Sequence, residues 1–106
     1  MDIIFEKEYL RELFENGQTN DKKHRFQPEI IKRYAKCVKT LDEIIYIEEL
    51  FKFNSLNYEK LSRDKKGLSS IRINKQFRLE FREIPNQNSK TVIEICSLVD
   101  ITNHYK

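Results

Sequence analysis

The spacing of hydrophobic positions changes midway along the chain. At the start, Ile3-Ile4-Phe5 is a short β-branched and aromatic run that predicts a first strand. Leu10, Leu13 and Phe14 then recur at helical spacing within residues 7–16, with Tyr9 alongside, and Asn16-Gly17 supplies a stop signal. Residues 17–21 read as a polar loop. Pro28 suits the first turn of a second helix. In that helix Ile31, Tyr34, Val38, Leu41 and Ile45 step by three and four residues, and Ile30, Cys37 and Ile44 widen the stripe. Lys32, Arg33, Lys36 and Lys39 fall mostly on the other side, which makes them the wet face of an amphipathic helix. Leu50, Phe51 and Phe53 are expected to form a short helix and a crossing loop packed on the core.

The second half has a period of two. Phe77, Leu79 and Phe81 alternate with Arg78, Glu80 and Arg82, the pattern of a half-buried strand. Leu68 to Ile73 predicts a strand before it, with Asn74-Lys75-Gln76 as a hairpin connector. Pro85-Asn86-Gln87-Asn88-Ser89 is a turn, and Thr91 to Val99 a mostly buried strand. Short turns between three consecutive strands argue for an antiparallel meander. The expected architecture is α+β in the order β-α-α-β-β-β: two N-terminal helices on one face of an antiparallel sheet, in a single domain over residues 1–106.

Composition narrows the class. With 106 residues the chain fits one domain. Mean hydropathy is −0.70, and no apolar run approaches the ~20 residues of a membrane helix, so no membrane partner is expected. Seven Phe and five Tyr against two Gly and two Pro disfavour disorder. The first residues lack a basic-then-apolar signal pattern, and a cytoplasmic location follows as the default. Cys37 and Cys96 sit in no C-x-x-C or Cys/His cluster, so they read as small buried residues rather than as a metal site or a bridge.

Charge is more informative in its distribution than in its total of +3. Residues 21–40 and 61–82 each hold seven bases and two acids, and the stretches between are acidic. The first basic block is explained by the wet helix face. The second differs. Arg72 and Arg78 lie on neighbouring strands at the polar parity, and Arg82 shares it, so all three should point away from the helices. Lys60, Arg63, Lys65 and Lys66 lie on the segment feeding the hairpin. His104 and Tyr105 follow the last strand and are placed to reach the same surface. Glu80 is an acid that can offset these arginines on a solvated face.

The segment Lys60-Leu61-Ser62-Arg63-Asp64-Lys65-Lys66-Gly67-Leu68-Ser69-Ser70-Ile71-Arg72-Ile73-Asn74 resembles the "L-x-G-D-x-x-G-x-x-S-I-R-I-N" stretch of HigB-type toxins in the RelE/ParE superfamily of toxin–antitoxin systems. Phe77-Arg78-Leu79-Glu80-Phe81 is similar to that family's aromatic-Arg-aliphatic-x-aromatic strand. Residues 100–106 stand where those toxins end in a short His/Tyr motif. Arg63 takes the place of a family Gly, Glu59 stands where some members carry His, and the tail reads Asn-His-Tyr rather than Asp-Tyr-His.

The resemblance implies a RelE-like fold and ribosome-dependent cleavage of translated mRNA, with no cofactor or metal. The ribose 2′-oxygen would attack the adjacent phosphate. It also implies a helix-turn-helix, HigA-like antitoxin as partner, besides ribosome and mRNA, with DNA bound only through the antitoxin. Such chemistry needs a base, cations for the transition-state charge and an acid for the leaving oxygen. Arg78 is then the main phosphate clamp, because the guanidinium fork suits phosphate. Arg72 and Arg63 are secondary clamps. His104 is the acid or base, its ordinary pKa lying near 6.5. Tyr105 would stack on a base or orient the 2′-OH. Lys60, Lys65, Lys66 and Arg82 would contact RNA or the ribosome. Two competing expectations are a ParE-like gyrase poison on the same scaffold and a non-catalytic RNA- or protein-binding module.

Overall fold

The structure, a computed structural model, describes residues 1–103. Strand β1 (Asp2–Phe5) is followed by helices α1 (Glu8–Asn16) and α2 (Pro28–Glu43), then by strands β2 (Glu59–Lys60), β3 (Ser69–Arg72), β4 (Phe77–Pro85) and β5 (Ile93–Asn103). Short 3₁₀ segments at Lys22–His24, Ile47–Lys52, Asn54–Leu56 and Arg63–Lys65 lie in the connections. The five strands form one sheet in the order β1-β5-β4-β3-β2.

The α+β class and the helix-covered sheet agree with the periodicity, with two refinements. The sheet is mixed, because β1 pairs parallel to β5, with Ile3 opposite Cys96. The helices return the chain to the far end of the sheet, and three successive hairpin reversals leave β5 running the same way as β1. The other refinement is β2, a two-residue edge strand against β3 that periodicity alone does not mark.

Local chemistry closes α1 and opens α2 as expected, but α2 stops at Glu43, and Ile45, counted in its apolar stripe, lies beyond the helix and is exposed. Gly17 adopts φ +73° and its N–H donates to the Leu13 carbonyl, closing α1 in a left-handed cap. Pro28 stands in the first turn of α2. Tyr9, Leu10 and Leu13 of α1 and Tyr34, Cys37, Val38 and Leu41 of α2 meet Ile71, Leu79, Phe81, Cys96 and Leu98 of the sheet in one core. The Tyr34 hydroxyl, fully buried, donates to the Leu10 carbonyl at 2.6 Å and ties the two helices together. Leu50 packs in the core, but Phe51 and Phe53 stay 66% and 44% exposed, contrary to the expectation that both pack inward. The 3₁₀ geometry over Ile47–Lys52 turns only Ile47 and Leu50 inward.

Candidate active site

Two strand registers build the site. Arg72 stands opposite Arg78 and Ser70 opposite Glu80 on β3 and β4, while Thr102 of β5 stands opposite Arg78. These positions share one side of the pleat, the side away from Leu79 and Ile71. Alternation alone makes this a wet face. Instead Ser70, Arg78 and Glu80 are buried, with exposures of 0%, 6% and 6%. Glu59 and Lys65, from the segment leading into the hairpin, lie over them. The Arg78 Nη1 donates to Ser70 Oγ at 2.6 Å and pairs with Glu59 Oε2 at 2.6 Å. Glu80 Oε2 pairs with Lys65 Nζ at 2.7 Å and accepts from Thr102 Oγ1 at 3.1 Å.

The result is a cleft of about 320 Å³ whose lining includes Glu59, Arg63, Lys65, Arg78, Thr102 and Asn103. Its volume is at the small end of ligand pockets. A bulge helps shape it. The pairing of β4 with β5 slips between Glu80 and Phe81, which adds Val99 to β5 and sets Thr102 opposite Arg78. Below the bulge, Asp100 accepts from the Tyr9 hydroxyl and pairs with Lys7 at 3.2 Å, so α1 holds the start of the C-terminal segment. Burial and that carboxylate together raise the Tyr9 phenol well above its ordinary pKa. Tyr9 also stacks on His24, centroids 3.6 Å apart, while His24 Nδ1 meets Asp21 Oδ2 at 3.0 Å. His24 is therefore part of this packed anchor.

The loop over the cleft keeps its shape through an unusual residue. Arg63 adopts φ +60°, the left-handed region that favours glycine. Gly67 ends the loop at φ +95°. The arginine that stands where the family pattern has glycine thus keeps the glycine-like backbone and adds a cation to the cleft.

The remaining cations are dispersed. Arg72 donates through Nε to the Asn74 carbonyl and lines a neighbouring cavity rather than the cleft. Arg82 pairs with Glu6 at 3.1 Å, four residues along β4 from Arg78, or roughly 13 Å. Lys60 lies on the opposite side of β2 from Glu59, 3.8 Å from Glu83. Glu83 also accepts from Ser69 Oγ at 2.6 Å and from the Tyr58 hydroxyl. Lys66 is exposed outside the cleft. His104 and Tyr105 lie outside the described residues.

Several cleft residues were not singled out from sequence. Glu59 carried only a positional hint, the histidine of some family members. Ser70, Thr102 and Asn103 fell within the family-like stretches without a role of their own, because short polar residues on a strand ordinarily face water. Among the described residues no group of His, Cys, Asp and Glu side chains is arranged to hold a metal ion.

Three comparisons complete the picture. Residues 3–96 match the model of the HigB-like toxin family, described as the RelE-like toxin of type II toxin–antitoxin system HigB. No curated protein matches the chain. Among solved structures, a YoeB/ParE toxin from Agrobacterium tumefaciens superposes with a TM-score of 0.59 at 14% identity, covering 99% of this chain and 100% of that one. At that identity the likeness speaks for the fold alone.

Proposed function

The chain belongs to the HigB-like family of RelE-like toxins from type II toxin–antitoxin systems, and on that premise we propose that it is a ribosome-dependent endoribonuclease that cuts translated mRNA. Family membership implies an antitoxin partner; the HigA-like, helix-turn-helix character of that partner belongs to the proposal. The observation that carries the reading is the juxtaposition of a buried guanidinium, Arg78, with a half-exposed carboxylate, Glu59, on the floor and rim of one cleft.

The chemistry follows from that pair. A phosphate entering the cleft competes with Glu59 for the Arg78 fork. Arg78 cannot swing away, because Ser70 holds it and strand β4 fixes its base. Glu59 can, because its side chain is 49% exposed and stands on a two-residue edge strand. Its displaced carboxylate remains beside the bound phosphodiester, in position to accept the proton of the ribose 2′-OH. The 2′-oxygen then bonds to phosphorus as the bond from phosphorus to the 5′-oxygen breaks. The products are a 2′,3′-cyclic phosphate and a 5′-hydroxyl, the latter protonated by an acid for which His104 is the candidate. Arg78 and Arg63 stabilise the added charge on the phosphorus centre, and removing one such fixed donor ordinarily costs about 10²–10³ in rate. Tyr105 is assigned to hold the base. Lys65, released from Glu80, joins Lys60, Lys66 and Arg82 in contacting RNA and the ribosome, and Arg72 acts beside the cleft rather than in it.

The test is induction in bacteria with mapping of mRNA 5′ ends. Codon-phased cuts in translated transcripts are expected. Intact transcripts with DNA breaks would replace this reading with the gyrase-poison one.

A further inference from the structure

A second concentration of cations surrounds the β3–β4 turn. Two cavities of about 460 and 350 Å³ share Glu29 and Asn74 and so adjoin one another. The larger takes in Arg33, Arg72 and Lys75, and the smaller Arg25, Phe26 and Phe77. Four cations thus border one furrow against a single carboxylate. Glu29 meets Arg33 at 3.5 Å, but both side chains are more than half exposed, so the pair is weak. Arg25 and Lys75 make no ion pair with any described residue.

This gathering is not a by-product of one amphipathic helix. Arg25 precedes α2, Arg33 lies on it, and Arg72 and Lys75 come from the hairpin. Bringing like charges together from separate elements raises self-repulsion, which a bound polyanion relieves. The wall of the furrow also carries Phe26 and Phe77, half-buried and edge to face with centroids 5.1 Å apart. A cationic groove with aromatic surface is what single-stranded nucleic acid requires: phosphates on the charges, bases against the rings. Continuity favours the same ligand, because Arg72 at the furrow and Arg78 in the cleft are cross-strand partners.

We propose that the furrow binds the phosphodiester backbone of single-stranded RNA as a continuation of the strand seated at Arg78. The proposal rests on the nuclease reading for the strand's identity, but its test does not use cleavage. A labelled twelve-residue oligouridine, fully 2′-O-methylated so that it cannot be cut, is titrated with full-length protein over 50–200 mM salt. Arg25→Gln and Lys75→Gln should each lower the slope of log affinity against log salt by about 0.7, and the double variant by about 1.4. The double variant should bind about tenfold more weakly at low salt. Both residues are exposed and make no ion pair among the described residues, so melting temperatures should match the parent protein, and Lys90→Gln at the β4–β5 turn should leave the slope unchanged. Slopes equal to the parent's in the double variant, or an equal fall with Lys90→Gln, would overturn the furrow. Tighter binding of an RNA hairpin than of the single strand would overturn the single-strand assignment. A slope change in a protein that leaves mRNA intact on induction would instead remove the nuclease reading and keep the furrow.

Discussion

Among the described residues, the strand beneath it, the Ser70 hydroxyl and the Glu59 carboxylate all hold Arg78. Of these the Glu59 side chain is the most exposed, which is why Glu59 is the group proposed to exchange with substrate. Glu59→Gln keeps size and hydrogen bonding but cannot take a proton. It should lower the single-turnover cleavage rate by about 10²–10⁴ with the melting temperature little changed; a rate within twofold of the parent would remove its role as base. Arg63 separates stability from function in the opposite direction. Its left-handed backbone costs on the order of 1 kcal/mol that glycine avoids. Arg63→Gly should therefore raise the melting temperature by about 4 °C while weakening RNA binding. A variant that gains stability and loses no affinity would show that the cation does nothing for the cleft. At this scale the sequence was readable for the strand arginines, whose parity the register of Arg72 with Arg78 bears out. It was not readable for Glu59, since a carboxylate beside Lys60 and four residues before Arg63 looks like ordinary surface charge until β2 lays it over β4.

Elements were legible where one periodicity dominated. Both helices, their Gly17 and Pro28 signals and the β3–β4 hairpin follow from spacing and turn chemistry. Strand β5 runs to Asn103, beyond the expected end at Val99, because the bulge there resets the inward parity and obscures the alternation. The exposed faces of Phe51 and Phe53 were missed for a related reason: six residues of 3₁₀ geometry do not follow the helical period. The core these elements enclose is rich in groups that must stay protonated. Burial pushes the thiols of Cys37 and Cys96 up to about 12, with Glu83 adding to the effect at Cys96. Burial also raises the phenols of Tyr34 and Tyr58. Folded-state values above the unfolded ones mean that stability is full below about pH 9 and declines as pH rises toward 12. Melting temperature should accordingly fall across that window. Thiol-reactive dye at pH 8 should label neither cysteine until the protein is denatured. Rapid labelling of the native protein would contradict the packing of α2 on the sheet.

Over the whole molecule, members of both basic blocks, Arg25 and Arg33 from the first and Arg72 and Lys75 from the second, come together at the β3–β4 turn. The first was read as a solvated helix face, which is what its spacing supports; only the tertiary fold carries Arg33 to the hairpin turn beside Arg72 and Lys75. The acidic and basic stretches thus alternate in sequence but leave a cationic end in space, suited to a polyanionic surface such as RNA. The cleft and the furrow are two parts of that end, and the cleavage proposed above belongs to the cleft. The most direct check is single-turnover cleavage of mRNA on purified, programmed ribosomes by the parent protein, Arg78→Ala and Arg78→Lys. Arg78→Lys keeps the charge and loses the planar fork. Both variants should remain folded by their melting curves, with Arg78→Ala slowed by at least 10²-fold and Arg78→Lys intermediate. Folded Arg78→Ala protein that cuts within twofold of the parent rate would contradict the account.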